Sequence, residues 1–175
     1  MMRGVNEEAV SEVIGVMLMI SVTLIIVALV AVYATGAASG GEQPVKASLI
    51  ASKVMYDEDN EKYMVVFEHV AGDPFYLKQV QVSLGVRDDA MPHLVVNNNE
   101  KPYLQSFSNP EENFMVHLGD RFVLYADEWD TDSLSWNGEG GGKFTVESGH
   151  YLTYRFIDRH TGAPISSGEI MVPHL

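Results

Sequence analysis

The longest uninterrupted run of apolar positions lies close to the start of the chain. It extends from Val13 to Tyr33, 21 residues without a formal charge. At about 1.5 Å of rise per residue, an α-helix of this length measures roughly 30 Å, the thickness of the hydrocarbon core of a bilayer. The run therefore predicts a helix that spans a membrane or packs among copies of itself.

Beyond residue 46 the apolar positions form short runs, several of which alternate with polar ones. The clearest example is Val80, Val82 and Leu84, which are separated by single polar residues. Such alternation predicts half-buried β-strands. The predicted strands are 47–56, 62–69, 76–86, 93–96, 121–125, 144–147, 150–157 and 168–172. The acidic segment 57–60 suits a hairpin connection between the first two strands.

These patterns predict an α+β fold. A long N-terminal hydrophobic helix is followed by one β-rich globular head, either sandwich-like or barrel-like. No second long helical period is visible in the sequence. The segment 34–44 is rich in Gly, Ala and Ser, which predicts a flexible joint between helix and head.

The chain is strongly acidic. Its formal net charge is −13, and residues 40–175 hold 21 acidic against 10 basic side chains, about −11 in the head. Such a surface repels the phosphates of nucleic acids and anionic lipids, so no nucleic-acid partner is expected. The chain has no cysteine, which excludes disulfides without fixing the compartment.

A secretory signal peptide is one alternative for the N-terminus. Its apolar stretch is about 7–15 residues long, shorter than the run found here. The leader also has one basic residue and two acids, which makes a weak basic region. The small residues from Ala34 to Ser39 can mimic a cleavage site. Cleavage there therefore remains an alternative.

The segment Glu8-Ala9-Val10-Ser11-Glu12-Val13-Ile14-Gly15, together with the aliphatic run behind it, resembles archaeal type IV pilins. In that family a class III signal peptide precedes the N-terminal helix. The resemblance covers about residues 8–36. It implies that a prepilin peptidase cuts after Ala9 and leaves Val10 as the mature N-terminus. Cutting after Gly4 is the lesser option, and many members carry Pro where this chain has Glu12.

The resemblance assigns the start of the helix to subunit assembly, through Ser11, Glu12, Val13, Ile14 and Gly15. A carboxylate at the mouth of an apolar helix needs a partner. The new amino group of Val10, on the same or a neighbouring subunit, would be such a partner for Glu12. Alternatively, Glu12 lies among lipid head groups or helps Ser11 to cap the helix.

The expected organisation is a cleaved leader (1–9), a membrane or filament-core helix (10–36), a flexible linker (37–46) and an extracellular head (47–175). The resemblance implies a homo-oligomeric, adhesive filament on an archaeal cell surface, stored in the membrane before assembly. It also implies a prepilin peptidase, an assembly ATPase and a polytopic membrane platform as partners. The alternative is a monomeric, single-span surface binding protein. A pseudopilin-like assembly factor is a hypothesis intermediate between these two. A motility filament of the archaellum type is disfavoured, because its subunits begin with a different glycine-rich core.

The head contains fainter similarities to the same family. The segment from Glu68 to Pro74 is similar to a His-x-Gly-Gly-Asp turn, with Ala71 in place of the first Gly. The segments Leu118–Arg121 and Arg155–Asp158 also resemble, more weakly, segments of pilins from this family. These similarities support a β-rich pilin head.

Few residues point to chemistry. His69 and Asp73 can form a ligand pair, but a turn histidine bonded to nearby backbone is the commoner arrangement. The acidic residues Asp127, Glu128, Asp130 and Asp132 suggest a Ca²⁺ loop, yet Leu134 and Ser135 stand where an EF-hand needs an oxygen ligand and its Gly. A solvated loop is the preferred interpretation.

The remaining patterns favour structural roles. The Gly-rich segment 138–143 lacks phosphate-loop spacing and is interpreted as a mobile loop. The aromatic residues Tyr125, Trp129 and Trp136 flank the acidic and glycine-rich region. We expect at least one of them in the core, with exposed ones available for contacts. No catalytic residue, metal site or cofactor is predicted, so we expect a protein that is not an enzyme.

Overall fold

The computed structural model describes residues 5–34, 43–87, 89, 93–99, 101–108, 114–130, 132–138 and 142–174, with the backbone alone for residues 5–12 and 34. The chain divides into two compact units, Met1–Glu42 and Gln43–Leu175. Most of the predicted linker, residues 37–42, lies outside the described residues.

The first unit contains one long helix, α1 (Val5–Ala34, 30 residues). It starts within the predicted leader, upstream of Val10, because no proline or other strong helix breaker interrupts the sequence there. Aliphatic residues dominate the rest of the helix, and their burial in an apolar medium outweighs the weak propensity cost of β-branching. The predicted long N-terminal helix is confirmed.

The second unit is a β-rich head, as predicted. Its strands in the described ranges are β1 (Ala47–Asp57), β2 (Lys62–Gly72), β3 (Phe75–Tyr76), β4 (Val80–Val86), β5 (Leu94–Asn97), β6 (Leu104–Ser106), β7 (Met115–Val116), β8 (Arg121–Tyr125), β9 (Glu128–Asp130), β10 (Ser133–Asn137), β11 (Lys143–Glu147), β12 (Tyr151–Asp158) and β13 (Pro164–Met171). The prediction missed β6, β7, β9 and β10, and it did not separate β3 from β4. The predicted strand 76–86 joins Tyr76 of β3, the 3₁₀ turn Leu77–Gln79 and β4 into one element.

The described strands form antiparallel sheets, most of whose apolar side chains share a main core. The first sheet has the order β1-β2-β8-β6 and the second has the order β13-β12-β4-β5. A smaller sheet has the order β11-β10-β9, and β3 pairs with β7. Apolar side chains from the first, second and smaller sheets meet in a shared core, in which Phe67 and Phe156 lie with ring centroids 4.9 Å apart. The predicted hairpin between β1 and β2 is present.

Strand β2 is buried on both faces, whereas an alternating pattern predicts burial on one face only. Val65 and Phe67 face the shared core, while Met64 and Val66 join Val123 in a separate apolar cluster. Val66 has no exposed surface. The first sheet therefore carries a small second core on its other face.

Side chains of the second sheet hold the edge strand β1. The Leu49 amide donates to Ser166 Oγ at 3.1 Å, and that hydroxyl donates back to the Leu49 carbonyl at 3.1 Å. The Ala51 amide donates to the Tyr154 hydroxyl at 3.0 Å. Irregularities in the pairing of β1 with β2 occur next to these positions. Side-chain hydrogen bonds thus satisfy backbone groups of an edge strand.

The buried side chain of Asp158 attaches the start of the head to the rest of its fold. Asp158 is buried, and its carboxylate accepts the Val45 amide at 3.4 Å and the His160 amide at 2.9 Å. Burial acts to raise the pKa of Asp158, but the amide donors, led by that of His160, hold it below the ordinary value of 3.8. Val45 lies in the predicted linker, so the end of that segment is attached to the head.

Replacing Asp158 with Ala is expected to lower the free energy of unfolding by about 1.5–3 kcal/mol at pH 7, the usual range for hydrogen bonds to a charged group. The folded-state pKa is lowered, so this stabilisation is present above the unfolded pKa of about 3.9 and is lost as pH falls through the folded value. Urea denaturation of both proteins at pH 7 and at acid pH measures the difference.

The exposed Glu147 supplies a matched control, since Glu147→Ala removes a carboxylate of the head without removing this anchor. We expect it to change stability by less than about 0.5 kcal/mol. An Asp158→Ala deficit that stays constant from pH 7 to acid pH would contradict the role assigned to the carboxylate.

Candidate functional site

The apolar part of α1 is the candidate assembly site. Val13–Tyr33 has a mean hydropathy of 3.0, and its side chains are exposed in the single chain. Exposed large apolar residues follow one another around the helix, including Val16, Met17, Leu18 and Met19. A helix that is apolar all round is buried in a membrane or in a protein core. By length and composition α1 is long enough to cross a bilayer.

The polar side chains within this run are satisfied inside the helix. Ser21 Oγ donates to the Met17 carbonyl at 2.8 Å, and Thr23 Oγ1 donates to the Ile20 carbonyl at 2.8 Å. These hydroxyls therefore need no partner outside the helix. A Cβ added at Gly15 would contact nothing in the single chain, so this position leaves room for close approach of another helix.

The predicted cleavage and assembly residues lie on one helix. Ala9, Val10, Ser11 and Glu12 belong to the N-terminal part of α1, where only the backbone is described. Val13 and Ile14 are exposed. The pairing of Glu12 with the Val10 amino group stays a prediction.

The predicted His69 turn is held by backbone contacts. His69 is fully buried; its Nε2 lies 2.9 Å from the Ala71 carbonyl, and its ring packs edge-on against Phe75. Asp73 instead accepts the Lys46 amide at 3.3 Å, so the proposed ligand pair does not form. Gly72 has φ +105°, and a Cβ there would collide with the Lys46 carbonyl oxygen. This explains why the turn uses Gly at that position.

A family comparison matches the assembly helix and the strand that follows it. Residues 8–61 match the model of the family described as archaeal type IV pilin, N-terminal. This segment is similar to the N-terminal region of archaeal type IV pilins. The match begins at Glu8, one residue before Ala9, after which the predicted cut falls. It ends in the β1–β2 hairpin. The resemblance noted from Glu8 to Gly15 is thereby confirmed.

Solved structures similar to this chain include two archaellum proteins. The archaellum periplasmic stator protein FlaG from Sulfolobus acidocaldarius is 15% identical, with a TM-score of 0.37; the match covers 71% of this chain and 99% of that one. The archaellum periplasmic stator protein complex FlaF and FlaG from the same organism gives 14% identity and a TM-score of 0.37, covering 74% and 91%. No curated protein matches the chain.

Two of the head segments with a faint similarity to pilins lie next to each other. The His69 amide donates to the Asp120 carbonyl at 3.0 Å, and the Gly119 amide donates to the His69 carbonyl at 2.8 Å. Gly119 has φ +86°, which favours Gly there. The segments 68–74 and 118–121 are therefore joined by backbone hydrogen bonds at one corner of the head.

Two of the four acidic residues lie in a strand and not in the predicted loop, while Asp127 and Asp132 lie outside strands. Glu128 and Asp130 belong to β9, and Glu128 pairs with Lys143 at 2.6 Å. Asp127 binds Lys101 Nζ at 3.1 Å and accepts the Asn137 amide at 2.8 Å. Burial acts to raise the pKa of Asp127, but its donors, led by the Asn137 amide, keep it below the ordinary value. Within the described residues, no cluster of three His, Asp or Glu side chains could hold a metal ion.

The two tryptophans differ in their surroundings. Trp136 is fully buried, and its Nε1 donates to the Tyr125 carbonyl at 2.9 Å, which confirms a core role for one of the predicted aromatics. Trp129 is 47% exposed and contacts the Tyr56 and Tyr63 rings at centroid distances of 5.7 and 5.3 Å. The contacts with Trp129 place β9 beside the β1–β2 hairpin.

A small polar cleft lies beside that hairpin. It has a volume of about 180 Å³ and is bordered by Asn60, Tyr125 and Asp127. The Tyr125 hydroxyl donates to Asp57 at 2.7 Å. Burial is the larger cause, and the Asp57 carboxylate the second, of a rise in the pKa of Tyr125 to about 12. Asn60 also donates to Asp57, at 2.8 Å. These groups satisfy one another and stabilise the hairpin tip.

The sequence prediction missed the structural role of Asp158 and the contact of Trp129 with the hairpin. Asp158 ends the segment Arg155–Asp158, whose similarity to pilins was the available signal. For Trp129 no local signal exists, because its partners Tyr56 and Tyr63 come from distant positions.

Proposed function

We propose that this chain is a structural subunit of an extracellular type IV pilus-like filament that serves surface adhesion. A prepilin peptidase cuts between Ala9 and Val10, and the freed helices bundle to form the filament core. The main support is α1, a helix with an apolar surface on every side whose start matches the pilin family. Such a helix requires burial, either in lipid before assembly or among other copies afterwards.

The role is structural and not enzymatic. Two of the acidic groups singled out from the sequence bind neighbouring protein groups: Asp127 binds Lys101, and Glu128 binds Lys143. The net charge of −13 disfavours nucleic acid. We assign the chain to the archaeal cell surface, with an assembly ATPase and a membrane platform as partners in moving the helix from lipid to filament.

The chemistry of cleavage supports a place for Glu12 in this scheme. Cutting after Ala9 creates a positive amino group at Val10, two residues from the Glu12 carboxylate. In a core without water, an unpaired charge is costly, and a close pair of opposite charges reduces that cost. Pairing within or between subunits would fix the start of each helix.

The second candidate is a monomeric surface binding protein held by a single span. The length of Val13–Tyr33 favours it, because 21 apolar residues suit a permanent anchor equally well. An anchor needs neither cleavage after Ala9 nor association of helices.

N-terminal sequencing of the surface protein distinguishes the two candidates. We expect the mature chain to begin at Val10, and we expect electron microscopy to show filaments that disappear when the gene is deleted and return with its restoration. A chain that keeps Met1 and remains monodisperse would establish the anchor instead. A start at Val5 would move the cleavage to Gly4.

A further inference from the structure

The outer face of the second sheet carries a groove that the assembly helix does not explain. Its volume is about 540 Å³. Arg155 lies in its middle, directly opposite Ser83 on β4 and Ser167 on β13. Thr153 lies in the adjacent row. The groove thus combines one guanidinium with three hydroxyl groups.

Small residues make this groove deep. Gly85 lies opposite Thr153, and a Cβ added there would come within 2.7 Å of His93 Nδ1 and 2.9 Å of Thr153 Oγ1. Any larger residue would therefore displace the His93 ring. Side chains as small as Ser83 and Ser167 leave the guanidinium of Arg155 accessible from solvent.

The groove presents a positive group, the Arg155 guanidinium, on a head that is otherwise strongly acidic. Its carboxylate, Glu169, is bound by Arg87 at 2.6 Å. Among the residues that the structure describes, Arg155 has no acidic partner. A free guanidinium flanked by hydroxyl donors is suited to bind a carboxylate.

The tip of the β1–β2 hairpin has the complementary charge. Asp57 there is bound by Asn60 and Tyr125, but Glu58, Asp59 and Glu61 are exposed and have no cationic partner in the described ranges. The contacts of Trp129 with the aromatic residues beside the tip support it from one side. The tip therefore presents free carboxylates from a fixed base.

We propose that the groove around Arg155 binds the hairpin tip of a second copy of this chain. Glu58 and Asp59 of one copy pair with Arg155 of the next, and the hydroxyls of Ser83 and Ser167 donate to the same carboxylates. This inference rests on the proposed filament function.

The geometry of this contact agrees with a filament. The two surfaces differ, so the contact is head-to-tail and leaves a free tip and a free groove at the two ends of every open assembly. Contacts of this kind generate helical filaments or rings, whereas a contact between identical patches closes into a dimer. Pairing also relieves repulsion between heads that each carry about −11.

Charge reversal in the full-length protein tests the pairing. Arg155→Glu alone, or Glu58→Lys with Asp59→Lys, is expected to reduce filaments per cell at least tenfold, because like charges then face each other across the contact. Combining all three changes restores opposite charges and should return the filament number to within about twofold of the original. Surface levels of each protein, measured in parallel, show that the variants fold and are exported.

The absence of cysteine allows a second, independent measurement. A protein with both Glu58→Cys and Ser167→Cys should form a ladder of disulfide-linked oligomers on oxidation, while each single variant should not. The control pairs Glu58→Cys with Thr145→Cys, an exposed position on β11.

The outcomes separate the two proposals. If the unsubstituted protein forms filaments, but the ladder is absent and reversed charges have no effect, the inference is overturned and the filament function stands. If the unsubstituted protein forms no filaments, the proposed function fails and this inference fails with it. A ladder together with rescue by the triple variant supports both.

Discussion

Replacing Phe67 with Ala is expected to lower the free energy of unfolding of the head by about 3–5 kcal/mol. Phe67 has no exposed surface and links the two large sheets. Its ring lies 5.5 Å from that of Phe122 in the first sheet and 4.9 Å from those of Tyr154 and Phe156 in the second. Truncation removes these contacts and leaves a cavity that rigid strands on both sides cannot close.

Urea denaturation followed by tryptophan fluorescence measures this loss, because Trp136 is buried in the same core. Residues 43–175 are suited to the measurement, since they form a compact unit with their own core. The matched control is Phe107→Ala, in which the ring removed is 38% exposed and the expected cost is below about 1 kcal/mol. Equal losses in the two variants would show that Phe67 does not join the sheets.

The parts of the fold that the sequence predicts are those set by local pattern. The apolar run of α1 needs no tertiary partner to be recognised, because its length alone exceeds that of a core strand. The alternation of Val80, Val82 and Leu84 matches their burial in β4, and the bounds of β8 are those predicted. One-sided burial leaves a period of two in the sequence.

The missed strands depend on tertiary pairing. β3 and β7 have two residues each and exist because Phe75 pairs with Val116. β10 does alternate, with Leu134 and Trp136 buried, but acidic and Gly-rich neighbours hid the pattern. A strand of two residues, such as β3 or β7, is recognised only when its partner is known.

The same distinction applies to the candidate sites. The segment from Ala9 to Gly15 is contiguous, so its resemblance to pilins can be read from the sequence. The Arg155 groove cannot, because Ser83 and Ser167 become its neighbours only through the strand order β4-β12-β13. The sequence contains those residues without indicating that they meet.

Placing a charge in the middle of α1, as Leu24→Arg, is expected to abolish filaments. Leu24 is exposed in the single chain and lies near the centre of Val13–Tyr33. A charged side chain at the bilayer centre costs about 2.5–3.5 kcal/mol on insertion scales. In a bundle of apolar helices the guanidinium would again lack a partner, and every subunit would carry the same defect. Electron microscopy and sedimentation of sheared filaments measure the loss.

Leu24→Ile is the matched control, since it keeps the apolar surface and changes only the branching of the side chain. It should leave filament number within about twofold of the original, because volume-conserving apolar exchanges are tolerated. If Leu24→Arg reached the membrane but formed no filaments, the bundle would be the more demanding environment for α1. Normal filaments from Leu24→Arg would mean that the centre of α1 is hydrated in the assembly, and bundling of apolar helices would not be what holds the subunits together.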